Sequence, residues 1–143
     1  MDHLAIMKKS WGFTQKILDG GKTLESRWYK TRRAPWGRIK KDDAVYFKNS
    51  GEPTTAKAIV TKVIEFEELT PRKVKGILNR YWKDLGILKE ELPAIYKRFK
   101  NKKYCILIFL KNPKEIKSFK INKKGFGAMA SWICIEDIKR LKF

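Results

Sequence analysis

The first half of the chain consists of short apolar runs separated by turns, a pattern typical of strands. The runs in HLAIMKK, TLESRWY and AVYFK each predict an extended segment. The longer TAKAIVTKVIEF alternates between apolar and polar residues, which predicts a strand whose inward face holds Ala56, Ala58, Val60 and Val63. Between the first two strands, Ser10 is expected to cap a short helix that reaches Leu18 and stops at Gly20.

The middle of the chain changes to the period of an amphipathic helix. Thr70 suits the N-cap position and Pro71 suits the first helical turn. The apolar positions that follow lie three or four residues apart or side by side, and they share one face: Val74, Ile77, Leu78, Tyr81, Trp82 and Leu85. Gly86 is expected to end this helix, and a second helix is predicted from Lys89 to Lys100.

The strand pattern then returns in the last third of the chain. YCILIFLK predicts a buried strand that Pro113 ends, IKSFKI and SWICIE predict further strands, and EDIKRLKF predicts a final helical turn. Strands on both sides of a helical pair favour an α+β fold, a small mixed or antiparallel β-barrel with flanking helices. We expect one domain over residues 1–143, with a helical insertion at about 70–101.

Charge adds a class of partner to this picture. The chain has 34 Lys and Arg against 15 Asp and Glu, a net charge of +19. Such an excess indicates a polyanionic partner, and nucleic acid is the common one. The alternative is the solvated, lysine-rich surface of a thermophilic protein. Thermophilic surfaces raise Glu together with Lys, whereas acids are scarce here, so nucleic acid is the favoured reading.

Other sequence features exclude several classes of protein. No apolar run approaches the roughly 20 residues that span a bilayer, and the first residues lack the order of a secretory signal, so we expect a cytoplasmic protein without a membrane partner. Cys105 and Cys134 lie in apolar runs and are expected to be reduced core residues. His3 is the only histidine and no CxxC is present, so neither a metal site nor a cofactor is predicted.

The stretch DGGKTLESRWYKTRR contains the pattern GxKxxExR, from Gly20 to Arg27. This pattern resembles the signature of the ASCH (activating signal cointegrator homology) family. Its context is similar as well, because IKKDDAVYFK resembles the family's I-x-x-G-D-x-V-x-F strand entry, with Asp42 in place of the glycine. The resemblance covers roughly residues 4–66. It implies a PUA-like barrel with an RNA-binding cleft beside the motif, and Trp11 is expected from the same resemblance to line that cleft.

The residues of the motif suit either binding or catalysis. Lys22 offers a charge for a phosphate or an amine base, and Arg27 offers a planar fork for a phosphate or a base edge. Glu25 could accept from an amino group, act as a general base, or simply pair with Arg27. Lys22 and Glu25 are therefore the catalytic candidates if the protein is an enzyme.

The resemblance also implies two kinds of enzyme. Some family members are ribonucleases, and others are amidohydrolases that act on acetylated cytidine. In the amidohydrolases the motif resembles GxKxxTxR with a nucleophilic threonine, and this chain has Glu25 at that position. A carboxylate is a poor substitute for a hydroxyl nucleophile, so we favour RNA binding. A metal-independent ribonuclease or modified-nucleoside hydrolase remains the alternative.

Basic and aromatic residues interleave after the motif, as in proteins that stack unpaired bases and hold phosphates. The predicted nucleic-acid site comprises Lys22, Glu25, Arg27, Trp28, Lys30, Arg32, Arg33, Trp36, Arg38, Lys123 and Lys124. RNA is favoured over DNA as the partner. Core positions for Trp28 and Trp36, a coactivator-like protein-interaction domain, and the oligomeric state all stay open.

Overall fold

The computed structural model describes residues 1–123 and 130–143, which form strands, α-helices and 3-10 turns. The strands are β1 (Asp2–Met7), β2 (Leu24–Tyr29), β3 (Ala44–Asn49), β4 (Thr54–Phe66), β5 (Tyr104–Phe119) and β6 (Trp132–Ile135). The helices are α1 (Phe13–Asp19), α2 (Pro71–Tyr81) and α3 (Leu92–Phe99), with 3-10 turns at Lys9–Trp11, Lys89–Glu91 and Ile138–Leu141. None of the helices in these two ranges is long and apolar enough to cross a bilayer.

The strands form one mixed sheet in the order β2-β5-β4-β3-β1-β6, which curls into a half-barrel with the helices beside it. Strand β1 runs parallel to β3, and the other neighbours pair antiparallel. The inward face of β4 is as predicted, since Ala56, Ala58 and Val60 are fully buried in the main core. The predicted α+β fold, a barrel-like sheet with flanking helices, is therefore confirmed.

Strand β5 continues past the proline that was expected to end it. The strand extends from Tyr104 to Phe119 and includes the IKSF segment that was predicted as separate. Pro113 lies at a bulge, where the register with β4 shifts beyond Lys111 and the preceding Asn112 has a positive φ of 53°. A bulge leaves a backbone position without a ladder hydrogen bond, so the missing N–H of proline costs little there.

The first helix begins later than predicted. Gly12, with a φ of 65°, occupies the N-cap of α1, and Ser10 lies in the preceding 3-10 turn. The end of the helix is as expected, because Gly20 adopts the left-handed conformation at the C-cap with a φ of 83°. This turn at Gly20 leads the chain directly into the motif.

Helices α2 and α3 lie between β4 and β5 in the chain and cover one face of β2 and β5. The Thr70 side chain accepts a hydrogen bond from the backbone N–H of Lys73 at 3.3 Å, which confirms the predicted N-cap. Helix α2 ends at Tyr81 and a turn carries the chain to Gly86, so the helix is shorter than predicted. The two helices and the strands share a cluster that includes Leu24, Trp28, Val74, Leu78, Leu85 and Leu107.

Both cysteines are free thiols, as predicted. Cys105 is buried in β5, and Cys134 is half-buried in β6. Burial raises the pKa of the Cys105 thiol well above its ordinary value, which keeps the thiol protonated and unreactive. The two residues therefore act as small apolar side chains.

Candidate nucleic-acid-binding cleft

An open cleft of about 520 Å³ lies beside β2, between the first 3-10 turn and helix α3. Its apolar wall includes Met7, Trp11, Phe13, Trp28, Ile95 and Phe99. We call the motif side chains Lys22, Glu25, Ser26 and Arg27 the cleft floor, and the exposed side chains Lys8, Trp11 and Arg98 the cleft rim. The volume falls within the range of about 300–1,000 Å³ that small-molecule pockets occupy.

Lys22 is buried at the inner end of the cleft floor, with only 2% of its surface exposed. Its Nζ donates to the carbonyl oxygens of Leu24 and Leu85, both at 2.8 Å, and lies 3.4 Å from Glu25 Oε1. These three contacts account for the three N–H donors of the ammonium group. Burial lowers the pKa of Lys22, and the Glu25 carboxylate opposes that shift.

A glycine allows the turn after α2 to approach this buried lysine. Gly86 has a φ of 75°, and a Cβ there would lie 3.0 Å from the Cβ of Lys22. Any other residue would be strained in its backbone and would push against the lysine stem. The helical insertion is thus held against the motif at this point.

Glu25 connects the two motif cations. Its Oε1 accepts from the backbone N–H of Ser26 at 2.9 Å, and its Oε2 lies 3.4 Å from Arg27 Nη2. Burial alone would raise the pKa of Glu25, but Lys22 and Arg27 outweigh it, so the pKa lies below its ordinary value. The carboxylate is therefore ionised and acts as an acceptor.

Arg27 is the motif cation that faces the open part of the cleft. Its side chain is 13% exposed, and its donors reach the carbonyl oxygens of Ser131 and Ile6 at 3.3 and 3.4 Å. Nη2 also lies 3.2 Å from Met7 Sδ, and the guanidinium lies 5.0 Å from the Trp132 ring centroid. These hydrogen bonds are long, so the guanidinium can exchange them for shorter ones to a ligand.

Trp28 is a core residue that also lines the cleft, so the core position left open by the sequence is the one found. Its ring stacks on Phe99 of α3 with centroids 5.0 Å apart and an interplanar angle of 9°. Its Nε1 donates to the Ser26 hydroxyl at 2.9 Å. The stack fixes helix α3 against β2, and this contact forms one side of the cleft.

The cleft rim brings together residues that are far apart in the chain. Trp11 is 38% exposed and lines the cleft, as the family resemblance implied. Arg98 lies with its guanidinium 4.7 Å from the Trp11 ring centroid, and Lys8 Nζ lies 5.4 Å from it. The sequence-based site omitted Lys8 and Arg98. Arg98 lies on α3, which no local pattern connects to the motif.

The basic turn after β2 lies outside the cleft. Arg32 pairs with Glu67 at 2.6 Å, Trp36 packs edge-on against Tyr104, and Arg33 lies over the ring of Tyr29. In the part of the chain that the structure describes, the cleft is not lined by the predicted site residues Lys30, Arg32, Arg33, Trp36, Arg38 and Lys123. Lys123 donates to the carbonyl oxygen of Ala130 at 3.0 Å, and Lys124 lies outside the described residues.

A buried hydrogen-bonded chain supports the cleft from behind. Trp132, whose ring lies under Arg27, donates from Nε1 to His3 Nδ1 at 3.1 Å. The His3 Nε2 lies 2.9 Å from Asp43 Oδ2, so the neutral imidazole donates from this nitrogen. Over residues 1–123 and 130–143 there is no group of three or more His, Cys, Asp or Glu that could hold a metal.

This arrangement predicts a loss of stability in mild acid. Burial lowers the pKa of His3 despite the neighbouring Asp43 carboxylate, so the folded state resists protonation. The unfolded state takes up that proton below about pH 6.5, and stability therefore falls as the pH drops through this value. Urea midpoints measured at about pH 7 and about pH 5.5 should show the loss. The difference should shrink in His3→Gln, and an equal difference in that variant would contradict the assignment.

Comparison with known proteins places this fold. The sequence matches no family model and no curated protein. Among solved structures, the ASCH protein of Zymomonas mobilis superposes with a TM-score of 0.66 at 15% identity, covering 94% of this chain and 87% of its own. The hypothetical protein PH0355 gives a TM-score of 0.55 at 19% identity, covering 81% of this chain and 100% of its own.

A further neighbour is the N-terminal domain of McrB from Staphylothermus marinus, with a TM-score of 0.52 at 13% identity, covering 81% of this chain and 74% of that domain. These sequence identities are too low to transfer an activity. The superpositions establish the fold. The resemblance found in the GxKxxExR motif is thus confirmed at the level of the fold: the chain folds like the ASCH domain.

Proposed function

We propose that this protein, which has the fold of the ASCH domain, is a cytosolic module that binds single-stranded or modified RNA in the cleft beside its GxKxxExR motif. The observation that carries the proposal is the composition of the cleft. A wall of aromatic rings, a charged floor and a cationic rim meet in one space of about 520 Å³. Aromatic faces, fixed hydrogen-bonding groups and cations match the three parts of a nucleotide.

The floor offers a donor and an acceptor side by side to the edge of a base. Glu25 Oε2 can accept from an exocyclic amino group, and Arg27 can donate to a ring nitrogen or carbonyl oxygen. The Ser26 hydroxyl already accepts from Trp28 at 2.9 Å, so its own hydrogen is free to turn toward a ligand. A base between the aromatic walls would thus find polar partners only along its edge.

The protonation states of Lys22 and Glu25 on the cleft floor favour RNA binding over RNA cleavage. A general base needs a lone pair that faces the substrate. Lys22 directs its donors at two carbonyl oxygens and Glu25, and it is 2% exposed. Glu25, with its pKa lowered and two cations beside it, is a weak proton acceptor. Both groups are better suited to orient Arg27 than to activate a hydroxyl.

A salt titration with labelled RNA tests the proposal. We expect single-stranded RNA to bind more tightly than a duplex of the same length, because a base must leave its stack to enter the cleft. The logarithm of affinity should fall with the logarithm of salt by about 0.7 for each phosphate that is neutralised. Fluorescence anisotropy at several salt concentrations measures both quantities. An affinity that does not change with salt concentration, or tighter binding of the duplex, would contradict the proposal.

The same samples address the enzymatic alternative. After incubation, the RNA should be intact on a denaturing gel. Cleavage by the wild type that disappears in a Glu25→Gln sample shown by circular dichroism to be folded would favour the ribonuclease alternative. Cleavage that persists equally in this variant would point to a contaminating nuclease, because the Glu25 carboxylate would then take no part in the reaction.

A further inference from the structure

The cleft rim holds an exposed indole that the fold itself does not explain. Among the described residues, Trp11 is one of few large apolar side chains left exposed, at 38%. It lies on the 3-10 turn before α1, where a polar residue would keep the same backbone. An exposed ring at the mouth of a binding cleft is typical of a contact with a ligand.

Two cations flank this ring from opposite parts of the chain. Arg98 of α3 and Lys8 after β1 lie 4.7 and 5.4 Å from the Trp11 centroid, within the range of cation–π contacts. In residues 1–123 and 130–143, neither cation forms a salt bridge. Of the two acids in the lining, Glu25 belongs to the floor, and Glu91 accepts from the backbone N–H of Leu88 at 2.8 Å. The rim thus presents an uncompensated positive charge beside an aromatic face.

The rim is continuous with the floor. Trp11 contacts Phe13 with ring centroids 5.5 Å apart, and Lys22 Nζ lies 4.3 Å from the Phe13 centroid. Aromatic surface therefore runs from solvent to the buried motif without interruption. A ligand that extends from the floor along this aromatic surface reaches Trp11.

We propose that Trp11, Lys8 and Arg98 form a second subsite, which takes the base and phosphate of the nucleotide next to the one on the cleft floor. The inference rests on the proposed function and deepens it. The ligand is then a single-stranded stretch of RNA, and a free nucleoside fills only part of the site. The second base stacks on the Trp11 ring in place of one of the two cations that lie over it, and the cations neutralise the phosphate between the two nucleotides.

The test compares a mononucleotide with a single-stranded trinucleotide. In the wild type the trinucleotide should bind more tightly, and the gain in affinity measures the second subsite. In Trp11→Ala this gain should fall by about 5-fold or more, the loss expected for one stacked base. The matched control is Phe143→Ala, which removes an exposed ring away from the cleft and should keep the full gain.

A second variant keeps the test valid if Trp11→Ala is poorly folded. Arg98→Gln removes the positive charge, keeps a polar side chain, and should lower the salt slope for the trinucleotide by about 0.7, the value for one phosphate. An unchanged gain in Trp11→Ala together with an unchanged slope in Arg98→Gln would overturn the second subsite while leaving the proposed function in place. Failure of both ligands to bind the wild type would overturn the proposed function and the subsite with it.

Discussion

Replacing Glu25 with glutamine should lower the free energy of unfolding by about 3–5 kcal/mol, the cost of leaving a buried charge without its partner. The substitution keeps the shape of the side chain and the hydrogen bond from the Ser26 N–H. It removes the negative charge that lies 3.4 Å from Lys22 Nζ and 3.4 Å from Arg27 Nη2. Lys22 is fully enclosed, so water cannot replace the lost partner. Urea denaturation followed by circular dichroism measures the change.

The double variant Lys22→Met/Glu25→Gln separates the charge effect from the loss of packing. Removing both charges leaves no unpaired ion at the Lys22 position, and the unpaired Arg27 is partly exposed, so the double variant should be more stable than the sum of the single losses by about 1–3 kcal/mol. The carbonyl oxygens of Leu24 and Leu85 lose their donor, so stability does not return fully. Strictly additive losses would show that the two side chains act independently, which contradicts the geometry described above.

An exposed ion pair provides the control for this experiment. Arg32 and Glu67 lie 2.6 Å apart, a shorter distance than either pair of the motif, but both side chains are more than half exposed. Glu67→Gln should therefore leave the urea midpoint nearly unchanged, because exposed pairs contribute little. A large loss of stability in Glu67→Gln would mean that removing a carboxylate charge destabilises the fold whether or not the charge is buried.

Replacing Arg27 with glutamine should weaken single-stranded RNA binding by about 10- to 100-fold, the range for the loss of a hydrogen bond to a charged group. Arg27 is the only floor cation free to donate to a ligand, since Lys22 is committed to Leu24, Leu85 and Glu25. The fold should tolerate this change better than the loss of Glu25, because the Glu25 carboxylate keeps Lys22 Nζ at 3.4 Å and the contacts of Arg27 to carbonyl oxygens are 3.3 Å or longer. Fluorescence anisotropy with the labelled RNA measures the loss.

Arg33→Gln is the charge-matched control for Arg27. It removes one positive charge from the basic turn outside the cleft, and screening should limit its effect to about 2-fold at physiological salt. Equal losses in the two variants would indicate that net charge alone attracts RNA. A larger loss in Arg33→Gln would move the binding surface to the basic turn.

Most of the elements could be predicted from the sequence because their patterns are local. Strand β4 alternates between buried and half-buried positions from Thr54 to Val60, and helix α2 begins with the Thr70 N-cap and Pro71. Two of the wrong boundaries depend on tertiary context. Pro113 could be placed inside β5 only by a bulge against β4, and the start of α1 depends on the left-handed conformation of Gly12.

The site could be predicted only in part. The motif was recognisable because Lys22, Glu25 and Arg27 lie close together in the chain. The burial of its charges was not, since Lys22 was expected to offer a charge to a phosphate or an amine as a base, and it is enclosed by the turn at Gly86. Arg98 and Phe99 reach the cleft because α3 packs on Trp28, a contact across the fold that no short pattern reveals.

The five tryptophans of the chain allow the most direct test of the central claim, that RNA binds in the cleft. Trp11 and Trp28 line the cleft, whereas Trp36 and Trp82 lie elsewhere. Indole N–H resonances can be assigned with single Trp→Phe variants and followed by NMR as single-stranded RNA is added. We predict that the signals of Trp11 and Trp28 shift in proportion to binding while those of Trp36 and Trp82 stay in place. A shift of the Trp36 signal with unchanged Trp11 and Trp28 signals would contradict the account.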